Sequence, residues 1–141
     1  MYQHILVPLE NSRYDTTILA HVRKLAKMTG ARLTLIHVAN GFAARLFDNL
    51  NLRESEEMKG DQDYLNETVK QLSSEGFQVN SILARGEPSD EILRVTKEQK
   101  CDLIAMATHG HRFLSDLFYG STARSVRHHA EVPVLLLKGP Q

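Results

Sequence analysis

Along this chain, short apolar runs alternate with longer segments in which apolar residues recur at helical spacing. Short apolar runs rich in branched residues, bounded by proline, glycine or polar residues, are typical of buried strands. Five such runs occur, at 4–9, 32–38, 77–84, 102–107 and 132–138. Between them, apolar residues recur at the three- and four-residue spacing of an amphipathic helix. The pattern therefore predicts strands and helices in alternation.

Glycines and capping residues set the expected helix limits. A first helix at 14–29 stops at Gly30, and a second at 63–74 stops before Gly76, because glycine favours the C-terminal end of a helix. The third helix is expected to begin with Ser89 as its N-cap.

Gly120 and Ser121 are expected to open the last helix. Its inward face then carries three apolar residues at helical spacing, Ala123, Val126 and Ala130. The N–H groups of its first turn would lie at Gly120 and Ser121, since the first turn of a helix has no intrahelical acceptors.

The alternation of strands and helices indicates an α/β fold. We expect a three-layer, doubly wound sandwich in which helices cover both faces of a five-stranded parallel sheet. With strand 1 at the centre and the chain winding outward both ways, the strand order is 3-2-1-4-5. The 141 residues fit a single domain, 1–141, that is large enough to bury its own core.

Residues 40–60 interrupt this rhythm, because they are too many for a simple connection. The first half is expected to form a short amphipathic helix, and an acidic run at 54–57 follows. Two interpretations remain open for the segment. It is either a surface excursion that packs its own apolar side chains, or a functional segment. A functional segment would be a mobile lid that responds to a ligand, or a surface that binds a partner. Its apolar residues are Phe42, Leu46, Phe47, Leu50 and Leu52.

Composition narrows the classes of partner. The 17 basic and 17 acidic residues cancel, which argues against bulk attraction to nucleic acid or to acidic membranes. A single cysteine, Cys101, permits no internal disulfide. The sequence contains neither a signal peptide pattern nor an apolar run of membrane-spanning length. We therefore expect a cytoplasmic protein with no nucleic-acid partner and no membrane insertion.

Two polar, turn-forming segments are expected to meet at one place in the sheet. Ligands of doubly wound sheets bind beyond the carboxyl ends of the strands, where the strand order reverses. Here that crevice lies between strands 1 and 4. The segment 8–12 follows strand 1, and the segment 107–112 follows strand 4.

The segment 107–112 and the expected start of the last helix contain groups suited to binding an anion. Gly110 allows close approach of a ligand to the backbone, and Gly120 and Ser121 would offer N–H groups at a helix start. The Thr122 hydroxyl and the basic residues at 109, 111 and 112 could add contacts. No Walker loop is present. From these residues alone, two turns and a helix cap are the favoured interpretation.

Several longer stretches resemble the universal stress protein family, and the resemblance covers nearly the whole chain. Nucleotide-binding members carry Gly-x2-Gly-x9-Gly-Ser/Thr. Gly110, Gly120 and Ser121 match that spacing, Ala107 replaces the first glycine, and Glu10 stands where the family has a ribose-binding aspartate. The stretches are "HILVPLENS", "ARGEPSDEIL" and "ATHGHRFLSDLFYGSTARSVRHHAEVPVLLL".

The resemblance implies a site for an adenine nucleotide. ATP is the expected ligand, with ADP and AMP as alternatives, and Mg²⁺ would be held through the phosphates. Adenine would lie at the ends of strands 1 and 2, and ribose beside the Glu10 carboxylate. The phosphates would lie on the segment after strand 4 and on the start of the last helix. The residues implied are Pro8, Leu9 and Val38 for adenine, Glu10 and Ala107 for ribose, and His109, Gly110, Gly120, Ser121 and Thr122 for phosphate.

Three functions stay open. The first is a stress-response regulator that binds a nucleotide and acts through conformational change or protein partners. The second is a nucleotide-free interaction protein of the same type, and the third is a very slow ATPase. No catalytic residue is predicted. Asp116, between the two glycines, is expected to be a solvated loop carboxylate.

The last strand is expected to form a homodimer. The run bounded by Val132 and Lys138 would be an apolar sheet edge, and pairing it with its twin across a two-fold axis covers both. The resemblance points the same way.

No metal site is predicted. The close histidine pairs have neither carboxylate nor cysteine at ligand spacing, so His128 and His129 are interpreted as cations near a helix C-terminus. Lys100 could lower the pKa of Cys101, but an unreactive, half-buried thiol is the favoured interpretation.

Overall fold

A computed structural model describes residues 1–39, 51–108 and 114–139, with side chains for all of these except 51–55 and 114–120. Strands and helices alternate along the chain, as the sequence pattern predicts. The strands are β1 (His4–Pro8), β2 (Arg32–Ala39), β3 (Val79–Arg85), β4 (Leu103–Thr108) and β5 (Val134–Lys138). The helices are α1 (Tyr14–Thr29), α2 (Asn51–Ser74), α3 (Pro88–Glu98) and α4 (Leu114–His129).

All neighbouring strands run parallel in the order β3-β2-β1-β4-β5. Strand β1 is therefore central: Ile5 pairs with Leu33 of β2 on one side and with Leu103 of β4 on the other. The three-layer α/β architecture and the strand order 3-2-1-4-5 expected from the sequence are confirmed.

Each face of the sheet is covered by two helices. Because the chain winds first toward β3 and then toward β5, right-handed crossovers place α1 and α2 on one face and α3 and α4 on the other. The first layer packs Ile18, Val22, Leu65 and Leu72 against Leu33 and Leu35. The second packs Ile92, Val95 and Val126 against Ile36, Ile104 and Met106.

A surface contact joins the helices of the first layer far from the crevice. The Arg23 guanidinium donates two hydrogen bonds to the Glu75 carboxylate, at 2.9 and 3.1 Å. Arg23 belongs to α1, and Glu75 directly follows the last residue of α2. This bidentate contact links the C-terminal half of α1 to the residue after α2 at the protein surface.

Helix α2 begins at Asn51, well before the predicted start at 63. The extension carries the acidic run, and Glu56, Glu57 and Lys59 are exposed. An exposed turn shows no apolar periodicity, which is why the sequence pattern missed it, yet its charged residues are good helix formers. Gly60 inside the helix costs about 1 kcal/mol relative to alanine and does not end it. The expected amphipathic helix or lid at 40–50 lies outside the described residues.

The N-cap of α3 is Glu87, so the expectation that Ser89 caps this helix is wrong. The Glu87 carboxylate accepts a hydrogen bond from the Asp90 N–H at 2.8 Å and another from Ser89 Oγ at 2.7 Å. Pro88 occupies the first helical position, where a missing N–H costs nothing, and the cap therefore lies two residues earlier than expected.

His4 is buried at the start of β1, with a hydrogen-bond partner for each ring nitrogen. Nδ1 lies 3.0 Å from the Gln99 carbonyl oxygen, and Nε2 lies 2.6 Å from Thr34 Oγ1. Burial and the positive charge of Arg32 lower the pKa of His4, outweighing the opposite effects of the Gln99 carbonyl and the Asp102 carboxylate. The folded state therefore favours the neutral ring.

This predicts an acid-sensitive contribution to stability. Because the folded-state pKa of His4 lies below its ordinary value of 6.5, the unfolded state binds the proton more tightly. The contribution is complete above pH 6.5 and decreases as the pH falls toward the folded-state pKa. His4→Gln should cost about 1 kcal/mol of unfolding free energy at pH 8, for one lost hydrogen bond, and less at pH 5. Urea unfolding at several pH values measures the difference.

The matched control is His21→Gln, at an exposed position on α1. Its unfolding free energy should stay parallel to that of the wild type over the same pH range. A difference between wild type and His4→Gln that is constant, or that grows toward acid, would contradict the assignment of a lowered pKa.

Candidate functional site

The crevice predicted from the strand order lies between the carboxyl ends of β1 and β4. Strand β1 ends at Pro8 and leads to α1 on one face, whereas β4 ends at Thr108 and leads to α4 on the other. The helices that follow these adjacent strands lie on opposite faces of the sheet, which is the arrangement at the switch point of a doubly wound sheet.

The apolar residues expected at the base of this crevice are buried at the strand ends. Pro8 ends β1, and the N–H of Leu9 donates to the Ile36 carbonyl of β2 at 2.8 Å. Leu9 and Ala107 belong to the core layer under α1 and α2, whereas Val38 belongs to the layer under α3 and α4. The structure thus brings Leu9 and Ala107 into one layer and separates Val38 from them.

The loop after β1 is organised by a carboxylate that the sequence analysis missed. Asp15, only 2% exposed in the first turn of α1, accepts hydrogen bonds from three consecutive backbone N–H groups. The distances are 2.9 Å to Glu10, 2.8 Å to Asn11 and 3.3 Å to Ser12. Asn11 has a positive φ of 62°, a conformation that asparagine tolerates better than most residues. The Glu10 carboxylate in turn accepts from Ser12 Oγ at 2.9 Å.

Helix α2 contributes a donor and an acceptor to the same loop. The Tyr64 hydroxyl donates to Asp15 at 2.6 Å, and the side-chain amide of Asn11 donates to Asp61 at 3.1 Å. Burial and the adjacent Asp15 carboxylate raise the pKa of Tyr64, so its hydroxyl stays a protonated donor at neutral pH. The loop is therefore held from α1 and from α2.

A histidine connects this loop to β2. His37 Nδ1 lies 2.8 Å from the Leu9 carbonyl oxygen, and Nε2 lies 3.1 Å from an oxygen of Asp61. Both partners are oxygen atoms that accept hydrogen bonds, so His37 links the loop after β1 to α2. Asp15, His37, Asp61 and Tyr64 thus form one network beside Glu10.

Two signals in the sequence could have indicated this network. His37 interrupts an apolar strand, and a polar residue in a buried run is more informative than the apolar residues around it. Asp61 and Tyr64 have the three-residue spacing of neighbours on a helix, but the helix was expected to begin only at 63.

The β4 side of the crevice differs from the sequence-based expectation. Helix α4 begins at Leu114, so Gly120, Ser121 and Thr122 lie inside it and do not open it. No glycine or proline stands between 114 and 119 to stop the helix from extending to this earlier start. The N–H groups without intrahelical acceptors therefore belong to 114–117. Ser121 is exposed and Thr122 is buried. His109 and Gly110 lie outside the described residues, and so does the side chain of Asp116.

The remaining candidates show no reactive chemistry. Burial raises the pKa of the Cys101 thiol to about 11, and the positive charge that opposes this is that of Arg32 rather than Lys100. Within 1–39, 51–108 and 114–139, the His, Cys, Asp and Glu residues form no group of three suited to a metal ion. His128 and His129 stand in the last turn of α4, where cations are favoured.

None of the helices within 1–39, 51–108 and 114–139 has the length and apolar character needed to cross a bilayer.

Comparison with known proteins finds similar proteins that cover nearly the whole chain. Universal stress protein MJ0577 of Methanocaldococcus jannaschii is 25% identical over 155 residues, which cover 98% of this chain and 96% of the relative. The solved structure of MJ0577 superposes with a TM-score of 0.88 at 26% identity, covering 100% of this chain and 99% of that one.

Two further solved structures share the fold and were determined with a nucleotide. The universal stress protein of Archaeoglobus fulgidus in complex with dAMP has a TM-score of 0.68 at 24% identity, with 97% of this chain and 98% of that chain covered. A universal stress protein in complex with cAMP has a TM-score of 0.70 at 17% identity, with 97% of both chains covered.

The comparison at the level of whole families agrees with these relatives. A model described as the universal stress protein family matches residues 1–138, which is nearly the full chain. The fold, the strand order and this match lead to one conclusion. The chain belongs to the universal stress protein family.

Proposed function

We propose that this chain binds an adenine nucleotide in the crevice between β1 and β4 and acts as a cytoplasmic stress-response regulator. The observation that carries the proposal is the reversal of strand order at β1 and β4, with Leu9, Glu10 and Ala107 at the strand ends. The related proteins in complex with dAMP and cAMP support a nucleotide as the class of ligand.

The charges around the crevice favour one orientation of the nucleotide. Glu10, Asp15 and Asp61 place three carboxylates on the β1 side, where they would repel phosphate. The N-terminal N–H groups of α4 lie on the β4 side and favour anions. Ribose then lies beside Glu10, adenine beside Pro8 and Leu9 at the end of β1, and the phosphates toward α4.

ATP is the proposed ligand, because a triphosphate makes the fullest use of the helix start on the β4 side. ADP and AMP would bind through the same adenine and ribose contacts, and Mg²⁺ would come with the phosphates. The bound nucleotide would change the shape of the crevice loops, and protein partners would recognise that change.

Glu10→Gln tests the proposed ribose contact. The change keeps the size of the side chain and removes its charge, so affinity for ATP should fall about tenfold, the effect of one lost charge-assisted hydrogen bond. Isothermal titration with ATP, ADP and AMP measures it. Glu67→Gln, at an exposed position on α2, is the matched control and should bind like wild type.

Nucleotide binding by the wild-type protein tests the proposal as a whole. Nucleotide that co-purifies should appear as adenine absorbance in the supernatant of heated protein. Wild-type protein that binds none of ATP, ADP and AMP at millimolar concentration would leave a nucleotide-free interaction protein as the function. Release of phosphate from ATP over hours would instead indicate a slow ATPase.

We also propose that the protein is a homodimer through β5. Among the described strands, β5 pairs with β4 alone, and its residues 134–137 are half-buried in the single chain. An identical strand from a second copy would satisfy the open backbone groups and cover the apolar side chains.

Val134→Glu combined with Leu136→Glu should convert the dimer to monomer or make the protein insoluble, because charges at an apolar edge oppose its burial. Sedimentation at micromolar concentration measures the state. Ser81→Glu on β3, the opposite edge of the sheet, is the control and should leave the dimer intact. A wild-type protein that sediments as a stable monomer would exclude this dimer.

A further inference from the structure

We propose that Asp15 and Tyr64 are positioning residues for recognition of the ribose hydroxyls, so that α2 determines the sugar selectivity of the crevice. The proposal rests on the nucleotide site proposed above and adds to it two residues that do not touch the ligand. The evidence is the network that holds the loop at 10–12.

The backbone donors of this loop are already bound within the protein. Three consecutive N–H groups that converge on one point form a concave site of the kind that binds anions. Here the Asp15 carboxylate fills that site with bonds of 2.9, 2.8 and 3.3 Å. The loop therefore has no backbone donors left at these residues for a phosphate, and the Glu10 and Ser12 side chains become its polar groups.

The charge of those groups determines what the loop can recognise. A carboxylate accepts hydrogen bonds and donates none, so Glu10 suits a ligand hydroxyl and disfavours a phosphate. Asp15 and Asp61 add negative charge close by. Hydroxyl recognition is therefore the chemistry that this side of the crevice supports.

Recognition of hydroxyls requires that Glu10 be held in one position. Asp15 fixes the backbone of Glu10 directly, through the hydrogen bond from its N–H. Asp15 is itself 2% exposed, and its Oδ2 receives the Tyr64 hydroxyl at 2.6 Å in addition to the loop donors. Removing that hydroxyl takes one donor from a buried carboxylate and loosens the element that aligns Glu10.

Helix α2 holds the loop at two points. Tyr64 reaches Asp15, and Asp61, one turn earlier on the same face, accepts from the Asn11 amide at 3.1 Å. Asp61 also pairs with His37, whose other nitrogen faces the Leu9 carbonyl. The residues on both sides of Glu10 are thus tied to α2, and a shift of this helix would move the Glu10 carboxylate.

The experiment compares affinities for ATP and 2′,3′-dideoxy-ATP, which differ only in the sugar hydroxyls. Wild-type protein should prefer ATP about tenfold, as expected for one hydrogen bond to a charged group. Tyr64→Phe keeps the ring and removes the hydroxyl, and the preference should fall to about twofold. Asp61→Asn should lower it in the same direction. The ratio of affinities for ATP and AMP, which reports on the phosphates, should stay unchanged.

Tyr2→Phe is the matched control, since Tyr2 packs on the same core layer at the opposite end of β1. It should keep the full preference for ATP. Thermal unfolding of each variant separates a general loss of stability, which would weaken both nucleotides equally, from a loss of sugar selectivity.

The outcomes separate this proposal from the one on which it rests. Wild-type protein that binds no adenine nucleotide overturns the proposed function itself. Wild-type protein that prefers ATP, together with Tyr64→Phe and Asp61→Asn variants that keep the whole preference, overturns only the positioning role. A drop in affinity that is equal for ATP and dideoxy-ATP also overturns it, because Tyr64 would then act on stability alone.

Discussion

The structure depends on the complete burial of one strand. Strand β1 is covered by helices on both faces, paired with β2 along its whole length, and paired with β4 at Ile5 and Leu6. Burial on two faces explains why its sequence is a continuous apolar run rather than an alternating one. It also means that the first backbone donors free of the sheet appear where the strand ends, at Glu10 and Asn11.

Those donors need acceptors, and Asp15 supplies them from within the protein. A buried carboxylate is stable only with several hydrogen bonds, and here three N–H groups and one phenol satisfy it. The same solution gives the crevice its polarity, with carboxylates on the β1 side and a helix N-terminus on the β4 side. A requirement of folding thus gives the two sides of the crevice opposite preferences for charge.

The sequence predicted the fold well because burial leaves a periodic signal. The five strands and the extent of α1 follow from apolar spacing and from Gly30, and the strand order follows from the way parallel sheets wind. Exposed turns leave no such signal, so the start of α2 at Asn51 was missed. The start of α4 was wrong because glycine was treated as a boundary, whereas a helix tolerates one interior glycine for about 1 kcal/mol. The sequence could have singled out His37, Asp61 and Tyr64, but not their contact with the loop, because Asp15 and Tyr64 are about fifty positions apart and become neighbours only after folding.

The contacts of α1 and α2 have a mechanical consequence. With 24 residues at a rise of about 1.5 Å each, α2 is long enough to run from the crevice to the opposite end of the strands. Its residue Tyr64 donates a hydrogen bond to Asp15 in the first turn of α1. Just beyond its C-terminal end, Glu75 accepts two hydrogen bonds from Arg23 of α1. Because the two contacts lie at opposite ends of the sheet, a displacement of the loop at the crevice would also change the distance between Arg23 and Glu75.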